Sequence, residues 1–209
     1  MRETTLVLLV RHAQTPTTGT VLPGRAPGLH LADEGRRQAD AVARRLAALP
    51  RVTAVYCSPL ERARETAAPI ARARRLALRI DRGLVECDVG AWTGEPLARL
   101  RRTPEWQTVQ RYPSGFRFPG GESFTEMQAR IVAALARLVQ RHHGAAVVAV
   151  SHADPIKAAV AHALGTHLDH FQRLDVAPAS VTAIAYRRQG PVVLTVNSVD
   201  GDLAALVSR

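Results

Sequence analysis

Residues 5 to 13 read Thr5-Leu6-Val7-Leu8-Leu9-Val10-Arg11-His12-Ala13, six apolar or β-branched residues followed by an arginine and a histidine. An uninterrupted run of this kind predicts a strand that is buried on both faces, as in a parallel sheet. In an open α/β sheet, ligands bind at the carboxyl ends of the strands. Arg11 and His12 therefore mark one edge of the predicted sheet as a candidate site.

Strand-like and helix-like segments alternate along the rest of the chain. Further strands are predicted at Val52–Cys57, Leu76–Ile80 and Ala146–Ser151, and a hairpin at Val181–Tyr186 and Val192–Val196. This alternation is typical of α/β proteins with helices on both faces of the sheet. We predict a single domain over residues 1–209, a three-layer α/β/α sandwich whose mostly parallel sheet ends in an antiparallel C-terminal hairpin.

Capping residues mark the predicted helix starts. Asp33 is predicted to cap a helix over Asp33–Leu49, Ser58 to cap the next one, and Ser123 to open a third with a capping box. Two long stretches, residues 14–32 and 81–121, are predicted to be irregular. Long loops in a compact domain are usually functional, so both are candidates to border the site.

The positive charge does not indicate a nucleic-acid partner. The chain has 28 Lys+Arg against 18 Asp+Glu, a formal net charge of +10, and Lys157 is its only lysine. The arginines are dispersed in pairs and triplets, and aromatic residues make up only 4% of the chain. A nucleic-acid-binding protein would concentrate charge on one face and add aromatics for stacking. The charge therefore indicates a solvated surface, which is compatible with an anionic small-molecule substrate.

The apolar segments and the cysteines limit where the protein works. The longest apolar runs, Leu6–Val10 and Ala145–Val150, are too short to cross a bilayer, and no signal peptide is recognised, so no membrane association is expected. Cys57 and Cys87 are too few for a disulfide framework and are interpreted as buried thiols. We therefore predict a cytoplasmic location.

Three predicted strand ends bring arginines and histidines to one sheet edge. Arg11 and His12 follow the first strand, Arg62 comes shortly after the second, and His152 follows Ala146–Ser151. Arginine forks suit phosphoryl oxygens, and one imidazole can attack phosphorus. These cations can also neutralise the developing charge, so we expect neither a metal ion nor a cofactor.

A leaving oxygen also needs a proton donor. The long stretch after the third strand offers two carboxylates, Glu86 and Asp88, and from the residues alone either can be the general acid. Trp92 and Trp106 lie in the same stretch, and each either lines the pocket or packs into the core.

Five segments, in order along the chain, resemble the histidine phosphatase superfamily, the phosphoglycerate mutase-like proteins. Leu9–Thr15 is similar to the family's Arg-His-Gly signature, and Leu31–Ala39 to the start of its first helix. The other three are Ser58–Ala67, Glu86 with Gly90–Gly94, and Val150–His152. The similarity reaches to about residue 165. The loop at residues 23–28 and the stretch 151–157 resemble a bacterial branch of the superfamily, without naming a substrate.

The resemblance implies a role for each matched residue. His12 is the nucleophile that becomes phosphohistidine, and Arg11, Arg62 and His152 hold the phosphoryl oxygens. Glu86 protonates the leaving oxygen and later acts as a base for water.

Two positions depart from the family pattern. A further candidate for substrate binding lies in the loop at residues 23–28. Ala13 stands where the family usually has glycine, and Thr18 where it often has asparagine. Thr18 stays a candidate for substrate binding, and Arg25, after Pro23-Gly24, is a second candidate.

Three functions fit these residues. The preferred one is a metal-independent phosphatase that acts on a small phosphorylated metabolite through a phosphohistidine. The alternatives are a cofactor-dependent mutase, which returns the phosphoryl group to another hydroxyl, and a non-catalytic module that binds a phosphate ligand. Hydrolysis is favoured because no insertion that would cover the site from water is recognised in the sequence. A homodimer stays open.

Overall fold

Strands and helices alternate along the chain in the computed structural model, which describes residues 4–203 and 206. The strands are β1 (Thr5–Arg11), β2 (Val21–Leu22), β3 (Val52–Cys57), β4 (Leu78–Ile80), β5 (Glu95–Pro96), β6 (Ala146–Ser151), β7 (Val181–Arg187) and β8 (Gly190–Ser198). The α-helices are α1 (Asp33–Ala47), α2 (Glu61–Arg74), α3 (Leu97–Leu100), α4 (Pro104–Arg111), α5 (Phe124–Arg141) and α6 (Ala153–Ala163).

Six strands form one mixed sheet in the order β4-β3-β6-β1-β7-β8. The strands β4, β3, β6 and β1 run parallel, whereas β7 pairs antiparallel with β1, and β8 antiparallel with β7. The short strands β2 and β5 pair separately. The predicted fold class, a mostly parallel sheet with an antiparallel C-terminal hairpin, is confirmed.

The inner strand β1 is buried on both of its faces. Val7 and Leu9 belong to the core cluster on the side of α5 and α6, and Leu8 and Val10 to the cluster on the side of α1 and α2. All four side chains are fully buried. Helices therefore cover both faces of the sheet, which explains why β1 is apolar at every position from Leu6 to Val10 rather than at alternate ones.

Two of the predicted helix caps are wrong. The helix α1 begins at Asp33, but its capping position is Ala32, so Asp33 lies in the first turn. The helix α2 begins at Glu61 instead of directly after Ser58, with Leu60 at the capping position. Neither helix start has a side-chain cap. The capping residue of α1 is an alanine, and near the start of α2 the hydroxyl of Ser58 is bonded elsewhere, as described below.

The predicted capping box at the start of α5 is confirmed. Ser123 Oγ accepts from the backbone N–H of Glu126 at 3.2 Å, and the carboxylate of Glu126 accepts from the backbone N–H of Ser123 at 2.9 Å. The stretch 81–121, predicted to be irregular, contains β5, α3 and α4. Helices of four and eight residues are too short to show a clear helical period. Among the described residues, no helix has both the length and the apolar character needed to cross a bilayer.

Candidate active site

The parallel pairing of β1 with β6 brings the two predicted histidines together. Arg11 pairs in register with Ser151, and the backbone N–H of His12 donates to the Ser151 carbonyl at 2.9 Å. His152 follows Ser151 directly, and its ring centroid lies 5.1 Å from that of His12. The sheet edge therefore presents both imidazoles side by side.

The ring of His12 is held in one orientation by the main chain. Its Nδ1 lies 2.8 Å from the carbonyl oxygen of Ala13, and because a carbonyl can only accept, Nδ1 carries the proton. The backbone N–H of Ala13 in turn donates to Thr66 Oγ1 at 3.0 Å. Burial, and then the charges of Arg62 and Arg11, lower the pKa of His12 to about 3. The ring is therefore neutral near pH 7, and Nε2 keeps a lone pair for attack.

His152 is fixed by the serine that the sequence assigned to a helix cap. Its Nε2 forms a 2.8 Å hydrogen bond with Ser58 Oγ, directly after β3. Its Nδ1 has no hydrogen-bond partner among the described residues and lies 3.9 Å from Glu86 Oε2. Burial and the charge of Arg62 lower the pKa of His152 below its ordinary value. One ring nitrogen of this buried side chain is thus left for a ligand.

Two arginines beside the histidines keep donors that no atom in the described part of the chain accepts. Arg62 is completely buried, and its Nη2 donates to the Gly24 carbonyl at 2.8 Å, whereas its Nε and Nη1 are unpaired. Arg11 donates from Nη1 to the Val176 carbonyl at 2.7 Å and leaves Nε unpaired. A buried donor without an acceptor costs about 1–3 kcal/mol, and more when it is charged. Such donors fit a site whose anionic ligand supplies the missing oxygens.

The cavity in front of His12 includes Glu86, the first of the two candidate acids. Its Oε1 accepts from the backbone N–H of Cys87 at 2.9 Å. Burial, and then the nearby charge of Asp154, raise the pKa of Glu86 to about 7. The carboxyl group can therefore hold a proton near neutral pH and give it to a leaving oxygen.

Asp88 and Arg25 belong to a charged network that supports the Glu86 loop. Arg25 donates from Nε to the Glu86 carbonyl at 2.8 Å and pairs with Asp88 at 3.4 Å and with Glu122 at 2.9 Å. Arg130 pairs with Glu122 at 2.8 Å and donates to three backbone carbonyls of the same loop. Neither Arg25 nor Asp88 lines the cavity, and the Asp88 side chain is 41% exposed. The guanidinium of Arg25, expected to reach the substrate, is thus engaged with the loop.

The cavity has a volume of about 240 Å³. Thr18, the other residue expected to bind substrate, lines it together with Arg11, His12 and Glu86. Thr18 Oγ1 accepts from the backbone N–H of Thr15 at 2.9 Å, which holds the hydroxyl in place beside the phosphoryl site.

Helices α3 and α4 form a wall of this cavity, where the sequence indicated no cover. Trp106 on α4 lines the cavity, whereas Trp92 packs behind it, with the two ring centroids 6.3 Å apart. Trp92 also contacts Phe116 and Phe118. The two tryptophans therefore have different positions: Trp106 lies in the pocket wall, and the half-buried Trp92 packs against the core.

Neither a reactive thiol nor a cluster of metal ligands is found among the described residues of this region. Cys57 and Cys87 are buried, as expected, and burial raises the pKa of both thiols, that of Cys57 to about 12. Both thiols therefore stay protonated near pH 7. Within residues 4–203 and 206, no group of three or more His, Cys, Asp or Glu side chains is arranged to hold a metal ion.

A family model for the histidine phosphatase superfamily (branch 1) matches residues 7–199. The chain belongs to this superfamily. The bifunctional protein Rv2228c of Mycobacterium tuberculosis is 36% identical over 189 residues, which cover 89% of this chain and 51% of that protein. The chain thus spans about half the length of the first curated relatives it matches.

Two further histidine phosphatase relatives match over most of their length. Phosphoserine phosphatase 1 of Hydrogenobacter thermophilus is 30% identical over 204 residues, which cover 91% of each protein. The solved structure of the mycobacterial glucosyl-3-phosphoglycerate phosphatase Rv2419c superposes with a TM-score of 0.84 at 25% identity, covering 93% of this chain and 99% of that one.

Several residues that support or extend the site of this superfamily member were missed from the sequence. Thr66, which anchors the loop after β1, was not singled out. Asp154 was not singled out and Lys157 was noted only as the single lysine, although both line the cavity with Gln172. The available signal was their spacing of three residues on a helix that follows His152, which places them on one face.

Proposed function

We propose that the protein is a metal-independent phosphomonoesterase that acts through a phosphohistidine on a small phosphorylated metabolite in the cytoplasm. The observation that carries this proposal is the state of His12. Its Nδ1 is bonded to the main chain, its ring is neutral, and its Nε2 has no hydrogen-bond partner among the described residues, with unpaired donors of Arg11 and Arg62 nearby. A module that only binds phosphate has no need of an imidazole prepared for attack.

In the first step, Nε2 of His12 attacks the phosphorus of the ester. The P–N bond forms as the bond to the ester oxygen breaks, and Glu86 gives its proton to that oxygen, so the product alcohol leaves neutral. Arg11, Arg62 and His152 bind the phosphoryl oxygens. Their donors are already in place before the reaction, so little reorganisation is needed to stabilise the developing charge.

In the second step, the Glu86 carboxylate takes a proton from a water molecule. The water oxygen attacks phosphorus, the P–N bond breaks and its electron pair returns to His12 Nε2. Inorganic phosphate leaves, and Glu86 is again protonated for the next cycle. One carboxyl group with a pKa near 7 serves both steps, because it is present in both protonation states near neutral pH.

Hydrolysis and phosphoryl transfer to a second hydroxyl share the first step. The wall formed by α3 and α4 removes the argument that the site is fully open to water. Two relatives named as phosphatases, phosphoserine phosphatase 1 and glucosyl-3-phosphoglycerate phosphatase, support hydrolysis of a small phosphate ester.

The experiment that tests the proposal supplies 3-phosphoglycerate with catalytic 2,3-bisphosphoglycerate. Released phosphate and the 2-phospho isomer are quantified in the same reaction, with His12→Ala as the inactive control. We expect phosphate release to exceed isomer formation. Isomer formation far faster than phosphate release would identify a mutase.

A further inference from the structure

Beyond the phosphoryl site, the cavity has a polar corner formed by Lys157, Asp154 and Gln172. Lys157 is the only lysine among the 28 basic residues of the chain, and its side chain is only 15% exposed. It lies five residues after His152, which is about 7.5 Å further along the axis of α6. The single lysine is thus placed next to the phosphoryl site but not within it.

The corner has unused hydrogen-bonding capacity. Lys157 Nζ donates to Gln172 Oε1 at 3.2 Å and lies 3.9 Å from Asp154 Oδ1. The second distance is too long for a hydrogen bond, and an ammonium group has three donors. A gap of this length between a donor and an acceptor fits a single group that can both accept and donate. A hydroxyl group meets that requirement, whereas a carboxylate can only accept.

The charges around the cavity favour the same ligand chemistry. With Glu86 protonated for the first step, the cavity lining carries Arg11 and Lys157 against one carboxylate, Asp154. The buried Arg62 beside His12 adds a further positive charge, which leaves two. A phosphoryl dianion balances them. The charged network behind the Glu86 loop is itself balanced. An additional carboxylate on the substrate would leave an excess negative charge in an enclosed site, whereas a hydroxyl changes nothing.

We infer that Lys157 and Asp154 determine specificity by binding a hydroxyl group of the leaving alcohol, so that the substrate is a phosphate ester of a polyol. The inference rests on the proposed phosphatase function. The hydroxyl accepts from Lys157 and donates to Asp154, and so closes the gap between them. Gln172 holds the ammonium group in the orientation that this requires.

The test compares three-carbon phosphates that share a primary leaving oxygen. Glycerol 3-phosphate carries two hydroxyls, propyl phosphate none, 3-phosphoglycerate one hydroxyl and a carboxylate, and O-phosphoserine an ammonium and a carboxylate group. kcat/KM is measured for the wild type, Lys157→Met and Arg188→Met. Arg188 is exposed in the turn between β7 and β8, at the opposite end of the sheet from His12, and controls for the loss of one positive charge.

We expect the wild type to prefer glycerol 3-phosphate over propyl phosphate by roughly ten- to a hundredfold, as a hydrogen bond to a charged group would give. Lys157→Met should lose most of this preference, and Arg188→Met should retain it. A preference that survives in Lys157→Met overturns the inference. So does a wild type that favours 3-phosphoglycerate or O-phosphoserine, which would assign the corner to a carboxylate or to a zwitterion.

The same panel separates this inference from the proposed function. If propyl phosphate and glycerol 3-phosphate are hydrolysed with equal kcat/KM, the proposed hydroxyl site is wrong and the phosphatase proposal stands. If none of the four esters is hydrolysed, and p-nitrophenyl phosphate is not either, the phosphatase proposal fails.

Binding can be followed without turnover, because a single lysine gives a single side-chain signal. The protein is labelled with lysine carrying ¹³C at Cε, in the His12→Ala background. At saturation, glycerol 3-phosphate should shift the Cε resonance of Lys157 more than propyl phosphate does. Equal shifts from the two esters would contradict a hydroxyl contact at this lysine.

Discussion

The buried cations beside His12 lower the stability of the protein and, in the proposed mechanism, bind the phosphoryl group. Arg62 is the largest fully buried side chain in the described part of the chain. Two of its three guanidinium nitrogens have no hydrogen-bond partner there. An unpaired buried charge is destabilising until an anion binds. The same charge helps to keep His12 neutral, because a second cation beside it would be repelled. In the proposed mechanism, the buried charge of Arg62 therefore both attracts the anion and keeps His12 neutral for attack.

Glu86→Gln should lose about 10²–10⁴-fold in kcat/KM with an alkyl phosphate, the usual value of general acid catalysis. It should lose much less with p-nitrophenyl phosphate, whose leaving group departs without a proton. Because the pKa of Glu86 is raised to about 7, its acid form is present below that pH and is lost above it. Wild-type kcat/KM for the alkyl ester should therefore decline above about pH 7, and this decline should vanish in Glu86→Gln. Single-turnover bursts report the first chemical step, in which the phosphoryl group is transferred to His12, separately from the later steps.

Asp88→Asn is the matched control for this prediction. Asp88 is partly exposed, pairs with Arg25 and does not line the cavity, so its amide variant should keep the wild-type leaving-group dependence. If Asp88→Asn shows the dependence and Glu86→Gln slows both substrates equally, Asp88 is the acid and Glu86 only positions the site.

The proposed reactive side chains lie close together, as the converging strand ends predicted, whereas the residues that support them could not be predicted from the sequence. His12 and His152 each follow a buried apolar strand, which is a local signal. Ser58 precedes a proline and a glutamate in a pattern that also fits a helix cap. Its actual partner, His152, lies 94 residues away in the chain. A contact over that separation leaves no local pattern, so the cap was the better local prediction and was wrong.

Strands and long helices followed the sequence more closely than short segments did. The predicted ranges Val52–Cys57 and Ala146–Ser151 match β3 and β6. The strand β4 is two residues shorter than predicted, since it lies at the edge of the sheet and pairs only with β3. The helices α3 and α4 were missed. They depend on packing over the cavity, which hydrophobic periodicity in a short window does not report.

Gly35→Ala should destabilise the protein by about 1–3 kcal/mol, although alanine is normally better in a helix by about 0.5–1 kcal/mol. A Cβ atom at Gly35 would stand 2.0 Å from the carbonyl oxygen of Gln14. Gln14 follows His12 by two residues, so we also expect reduced activity. Urea unfolding and p-nitrophenyl phosphate hydrolysis measure the two effects.

Asp40→Ala on the same helix supplies the comparison for Gly35→Ala. Asp40 is exposed, so this change should be neutral or slightly stabilising. Equal stabilisation by both alanines would mean that the close approach of α1 to the β1 loop is not a constraint.

The site exists because three adjacent parallel strands end at one edge of the sheet. The strands β3, β6 and β1 are neighbours, and the segments after them carry Arg62, His152 and His12. The alternation of strands and helices predicts a parallel sheet but not the order of its strands, since that order depends on long-range packing. The rule that ligands bind at the carboxyl ends of parallel strands predicted that these residues converge, and the observed strand order explains why they do. That the chain folds as one domain stays a prediction, and a homodimer stays open.

We predict catalysis without a divalent metal. Arg11, Arg62 and the neighbouring histidines supply the positive and hydrogen-bonding groups that a phosphoryl transfer requires. Hydrolysis of p-nitrophenyl phosphate should therefore proceed at an unchanged rate in excess EDTA. Loss of activity with EDTA, recovered on adding a divalent ion, would contradict this reaction scheme.

The most direct measurement is a rapid-quench reaction with a ³²P-labelled phosphate ester. If His12 is the nucleophile, denatured protein should carry label that is stable to base and lost in acid, and peptide mapping should place it on His12. His12→Ala should carry no label, whereas His152→Ala should still form the adduct, more slowly. Label on His152, or turnover in which the wild type never becomes labelled, would contradict the phosphohistidine mechanism.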